Sequence, residues 1–143
     1  MSLLGTLVSY FKSKSAVVAL LGTGCDRLYA GSVAPESERR LRCEMRRNKT
    51  SHGHTLVGLD GIARSVITIE CISDESPGAA DDLADAMAYS GIVGFQGNAH
   101  GINIRSVQLS DGPEQYLEGV IPGSEQYRYI TAFQLLISYQ VPC

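Results

Sequence analysis

The spacing of apolar positions changes period several times along this chain, and each change predicts an element. Leu3, Leu4, Leu7, Val8 and Phe11 recur at helical spacing, so the N-terminus reads as an amphipathic helix. Ser15 is placed to cap a second helical stretch over residues 16–21, which Gly22 stops. Residues 27–31 form a short extended segment, and a turn follows around Pro35. Leu41, Cys43 and Met45 then alternate with Arg40, Arg42, Glu44 and Arg46, the pattern of a half-buried strand with one basic face.

Residues 62–91 are the stretch that the other segments must cover. Ile67, Ile69 and Cys71 alternate with Val66, Thr68 and Glu70, and β-formers on both faces predict a central strand over residues 62–72. Residues 73–77 break it. Ser76 can cap the free amides of a helix over residues 76–90, Pro77 suits its first position, and Gly91 closes it. Ala80, Leu83, Ala84 and Met87 make a narrow stripe of mostly small residues that can lie close to a sheet. Asp81, Asp82 and Asp85 are read as negative charge toward the positive end of that helix.

The remaining segments read as strands and loops. Residues 48–61 are polar and glycine-rich, with His52 and His54 inside, and predict a mobile hairpin tip between residues 40–46 and 62–72. Residues 92–101 predict a glycine-rich loop anchored by Phe95. Ile102, Ile104, Val107 and Leu109 mark a strand with a bulge near Ser106, and residues 111–124 read as a second surface loop. From Tyr127 to Val141 the alternation is the longest in the chain, with Thr131, Phe133, Leu135, Ile137 and Tyr139 on one face. The expected class is α+β: a mainly antiparallel sheet of about four to five strands, with an N-terminal helix and one mid-chain helix packed on it. With no repeat and no linker, residues 1–143 are expected to form a single domain.

Composition adds limits more than identity. A net charge of −3 is too small for the whole molecule to be drawn to a polyanion or a membrane surface, and no apolar run reaches membrane-spanning length. Cys43 and Cys71 fall on apolar strand positions, and the first residues lack a secretory pattern. Reduced, structural thiols and synthesis in the cytoplasm are therefore expected.

Candidate chemistry is sparse. Gly22-Thr23-Gly24 follows a helix and lacks the remaining glycine of a dinucleotide fingerprint, and neither a P-loop nor a nucleophile elbow occurs. His52 and His54 have no carboxylate or cysteine at ligand spacing, and His100 beside Gly101 reads as a turn residue. No catalytic residue, metal or cofactor is expected. The one charge anomaly is Arg39, Arg40, Arg42, Arg46, Arg47 and Lys49. On a monomer it is a solvated strand face. In a ring it would repeat around the axis, facing either an acidic neighbour or nucleic acid backbone. With Tyr29 as the nearest aromatic, base stacking on single strands is disfavoured.

The order of these segments resembles a known family. The sequence runs from a helix into Ala16-Val17-Val18-Ala19-Leu20-Leu21-Gly22, then Arg27-Leu28-Tyr29-Ala30-Gly31 and Ala34-Pro35-Glu36. It continues through Ile67-Thr68-Ile69-Glu70-Cys71 and Ala79-Ala80-Asp81-Asp82-Leu83-Ala84-Asp85-Ala86-Met87. It closes on Tyr129-Ile130-Thr131-Ala132-Phe133-Gln134-Leu135-Leu136-Ile137-Ser138-Tyr139. This order is similar to that of the tail-completion or tail-terminator proteins of long-tailed bacteriophages and related tail-like particles. The resemblance implies a virion protein, assembled in the host cytoplasm, that forms a ring of about six subunits on the finished tail tube. Its partners would be further copies of itself, the tail tube protein and the head-side connector, with DNA only in passage and no membrane. Arg40, Arg42, Arg46, Arg47 and Lys49 are then expected at a subunit junction or along the channel. A head-to-tail connector of the neck is the nearest alternative. A small ligand-binding domain or enzyme using residues 91–101 is a more distant one.

Overall fold

The computed structural model describes residues 3–22, 24, 26–35, 37–55, 58–99, 101–120 and 127–140. Helix α1 (Leu3–Lys12) buries Leu3, Leu7 and Phe11, as the helical spacing predicts. The amides of Ser13 and Lys14 bond back to the carbonyls of Tyr10 and Phe11, so the chain turns at once into α2 (Ser15–Leu21), bent 89° from α1. This turn places Lys14 at the N-cap, with no side-chain bond, and makes Ser15 the first helical residue. Ser15 is therefore not the cap that its residue type suggests. Gly22 ends α2 as expected, with φ +86° and its amide on the carbonyl of Val18.

Six strands follow: β1 (Leu28–Ala30), β2 (Arg42–Thr55), β3 (Gly58–Ser73), β4 (Gly97–Ala99), β5 (Ile102–Val120) and β6 (Tyr127–Gln140). They form one sheet in the order β1-β2-β3-β6-β5-β4. The class is α+β as expected, but the sheet is mixed and has six strands in place of four to five, because β1 runs parallel to β2. Residues 31–41 cross over between those two strands without reversing the chain, and only a crossover of this kind joins parallel neighbours. β3 lies between β2 and β6, the inner position its two-sided pattern predicts.

Helix α3 (Pro77–Ala88) starts where the sequence marks it. The Ser76 hydroxyl accepts from the Ala79 amide at 3.3 Å, and Pro77 takes the first position. Ala80, Leu83, Ala84 and Met87 are all buried. They cover Ile67, Ile69 and Cys71 of β3 and Phe133, Leu135 and Ile137 of β6, which form one core with Leu7 and Phe11 of α1. Because the cap sets the start at Pro77, Asp81, Asp82 and Asp85 fall beyond the first turn and do not meet the amide end of the helix. Asp81 instead accepts hydrogen bonds from Thr131 at 2.7 Å and Gln115 at 3.2 Å.

Both predicted long loops are largely strand. The β2–β3 ladder continues through Thr50↔Ser65, His52↔Ala63 and Thr55↔Gly58, with register shifts at Arg47/Lys49 and His52/His54. The β5–β6 ladder continues through Glu114↔Ala132 and Leu117↔Tyr129 to Val120↔Tyr127. Backbone groups pair across a hairpin whatever the side chains, and bulges absorb the residues that break alternation. Residues 56–57 and 121–126 of these hairpins, together with His100, lie outside the described residues. In the glycine-rich segment Ile92 is the deep anchor, fully buried, while Phe95 packs edge-on to Tyr10 at 5.7 Å. The sequence also missed β4, which pairs with β5 over Ala99↔Ile102 and Gly97↔Ile104.

Register places the two hairpins at opposite ends of the sheet. β6 pairs with β3 from Ile62↔Gln140 to Ser73↔Tyr129. The part of β2–β3 from Gly58 to Gly61 extends past Gln140, roughly 15 Å at the usual rise per residue. The end of β5–β6 extends past Ser73 in the other direction.

Candidate assembly surface

The sheet has one face under the helices and one face away from them. Cross-strand register lines up Arg42, Glu44 and Arg46 of β2 with Ile72, Glu70 and Thr68 of β3, and these with Ile130, Ala132 and Gln134 of β6. Since Ile67, Ile69 and Cys71 point into the core, this second set faces away from the helices. A groove of about 240 Å³ crosses it from Arg46 to β5, lined by Glu70, Asp111, Glu114, Tyr116 and Gln134.

At the end near Ser73 this face is locked by a buried carboxylate. Asp74 is 3% exposed and receives Arg128 Nε at 3.0 Å, Arg42 Nη2 at 3.4 Å and Arg39 Nη1 at 3.5 Å. Arg42 is equally buried at 3%, and its other contact is the carbonyl of Arg40 at 3.2 Å. Burial alone would raise the Asp74 carboxyl, but the Arg128 hydrogen bonds and the charges of Arg42 and Arg128 outweigh it and hold the group below its usual range. The cluster ties the crossover, both hairpins and the start of α3 into one unit.

The predicted basic residues are thereby divided. Arg40 precedes β2 and pairs with Glu38 at 2.8 Å, and that hydrogen bonding lowers the Glu38 carboxyl to about 2. Arg42 is inside the Asp74 cluster and is not on a solvated face. Arg46 is exposed and pairs with Glu70 at 2.6 Å. Arg47 points to the opposite side, where it bonds the Tyr139 hydroxyl and sits 5.9 Å from that ring. The side chains of Lys49, His52 and His54 lie outside the described residues. So the basic run is not one stripe: Arg42 and Arg46 share a face, Arg47 leaves it, and Arg39, Arg40, Arg42 and Arg46 already hold an acid of their own chain.

Sequence reasoning missed Asp74 and Arg128 as the centre of this face. A signal was present, because the acid just past the end of β3 lies two residues beyond Ile72, whose hairpin partner is Arg42. Cys43 and Cys71 are free, buried and directly opposite one another, as the apolar positions predict. Burial is the main cause that pushes the Cys43 thiol well up. Cys25 and Cys143 lie outside the described residues. Among the described residues no group of three or more His, Cys, Asp and Glu side chains could hold a metal ion. No single described helix is long and apolar enough to cross a membrane.

No protein-family profile matches this chain, and no curated protein matches its sequence. Its fold, however, recurs among solved structures. A chain of the virion of a native gene transfer agent (GTA) particle superposes with a TM-score of 0.67 at 14% identity, covering 96% of this chain and 95% of that one. A second solved chain reaches a TM-score of 0.51 at 13% identity, with 99% of both chains covered. What is shared over the full length is the α+β fold.

Proposed function

We propose that this chain is a structural protein of a phage-like virion, and more specifically a tail terminator. It forms a ring of about six copies that caps the tail tube, ends tube polymerisation and presents a surface to the head-side connector. The observation that carries this is the full-length likeness in fold to a chain of a gene transfer agent virion, at a TM-score of 0.67. It agrees with the order of segments along the sequence. The architecture suits the role, since hairpins at opposite ends of the sheet offer one end to the tube and the other to the head side. No reaction and no cofactor belong to this role, and assembly takes place in the host cytoplasm. Of the candidate basic residues, Arg46, Arg47 and Lys49 are proposed for the subunit junction or the DNA channel. Arg42 is less suited because it is buried, and Arg40 because it lies ahead of β2 and off the strand edge; Arg46, like Arg40, has an acid of its own chain, Glu70, beside it.

Electron microscopy of lysates from the parent particle with this gene disrupted tests the proposal. Overlong, uncapped tubes beside filled heads are the expected result. Tails of normal length lying free beside heads would move the protein to the neck, and intact infectious particles would overturn a structural role.

A further inference from the structure

Two stretches of backbone at the outer edges of the sheet are left open. β1 covers β2 only from Cys43 to Met45, and the Gly31 amide on the Met45 carbonyl at 2.8 Å is the last bond on that side. From Arg46 onward the outer edge of β2 faces no other described strand. On the far side β4 covers β5 from Ile102 to Ile104 and the Gly94 amide takes the Val107 carbonyl at 2.9 Å, so no described strand pairs with the outer edge of β5 from Gln108 onward. Open edges of this length are templates for pairing with another chain.

We propose that copies of this chain join through these edges, β2 of one copy receiving β5 of the next, so that the sheet continues from subunit to subunit. This rests on the ring-forming role proposed above and specifies its junction. Direction permits it. β2 is antiparallel to β3, β3 to β6 and β6 to β5, so β2 and β5 run oppositely. Continuing the sheet without turning a copy over sets them antiparallel, the more stable pairing. Level matches as well: Arg46 lies across the sheet from Asp111, through Thr68↔Gln134.

Charge selects the opposite edge over the same edge. Exposed Arg46 and Arg47 mark the β2 side, while Asp111 and Glu114 on β5 are exposed and form no ion pair among the described residues. A symmetric β2–β2 or β5–β5 junction would set like charges against each other, whereas β2–β5 sets opposite ones together. Shape agrees. Where β1 stops, a groove of about 370 Å³ lined by Leu4, Gly31, Val33, Met45 and Arg47 borders the open edge, with Val33 77% exposed. An incoming strand would bury that rim. Register shifts in β5 at Leu109/Asp111 and Asp111/Glu114 keep the regular ladder short. Each junction is therefore weak alone and gains strength from closure of the ring. Because the two edges differ, the contact is head-to-tail, the type that closes rings.

Charge reversal with complementation is the test. One variant carries D111K/E114K and the other R46E/R47E, each checked by circular dichroism for a native fold and followed by sedimentation and native mass spectrometry. Each alone should self-associate at least about tenfold more weakly than the wild-type chain, since like charges then face each other across the junction. Mixed in equal amounts they should assemble again, because every junction in an alternating ring regains opposite charges. Wild-type-like oligomers from both variants alone, or no recovery on mixing, would overturn edge pairing while leaving the terminator role standing. Wild-type chain that stays monomeric at high concentration would overturn both. If a variant does not fold, zero-length carbodiimide coupling of assembled wild-type chain decides. Links from Lys49 to Asp111 or Glu114 of another copy support the junction, and links to the acids of residues 70–85 in their place refute it.

Discussion

At the scale of single residues, Asp74 is the position on which the most depends. It holds Arg42, itself 3% exposed, and a buried charge that loses its partner is costly. Asp74→Asn should therefore destabilise the fold by about 3 kcal/mol in urea unfolding, with Arg42 left unpaired. The same group makes stability depend on acid. Its folded pKa is depressed, so its contribution is fully present above the ordinary carboxylate range and is lost as pH falls through the folded value. Wild-type chain should lose stability steeply on acidification below about pH 4, and Asp74→Asn should lose less over the same interval. Parallel pH curves for the two proteins would refute the assignment. Reversal of Arg42 to Glu would report on folding and not on assembly, because it would set two carboxylates against each other in the interior.

At the scale of elements, α3 and the β5–β6 hairpin illustrate opposite kinds of legibility. The start of α3 was written locally: a serine side chain reaches an amide three residues on, and proline takes the position where its missing donor costs nothing. Ser76→Ala should cost about 1 kcal/mol in chemical denaturation without changing the fold, and a neutral result would show that the 3.3 Å bond is not formed in solution. The strand character of residues 111–120 was not written locally, and residues 111–124 read as a surface loop that contains Gly112 and Pro113. A partner strand overrides them. Gly112 sits at φ +81°, and a Cβ there would come within 2.5 Å of the Ala132 carbonyl oxygen on β6. Gly112→Ala should thus destabilise by about 2 kcal/mol or more, through left-handed strain and a clash with backbone that has little room to move. The same holds for residues 48–55, where polar side chains concealed a ladder made by the backbone.

At the scale of the whole molecule, assembly is the property of interest, and its salt dependence is its simplest signature. If exposed pairs between Arg46 and Asp111 or Glu114 hold copies together, raising ionic strength from about 0.05 to 0.5 M should loosen self-association. Sedimentation at the two salt concentrations measures this. Tighter association at high salt would mean that the apolar rim around Val33, and not charge, dominates the contact. Circular dichroism should change little over the same range, because the pairs that brace the fold, above all Arg42 with Asp74, are shielded from solvent.

By itself the sequence determined what depends on near neighbours along the chain. It specified the amphipathic faces of α1 and α3, the cap at Ser76, the stop at Gly22, the inner position of β3 and the buried thiols of Cys43 and Cys71. These follow from period, side-chain reach and backbone freedom over a few residues. Only the tertiary structure decided which charges meet. Arg42 and Asp74 are 32 positions apart and Arg128 and Asp74 are 54 apart, and nothing local distinguishes those arginines from Arg46, which stays exposed. The parallel placement of β1, the ladders within apparent loops and the open edges of β2 and β5 are likewise matters of which strand lies beside which. Hydrogen bonds between strands are blind to sequence, and burial arises only when distant segments are brought together.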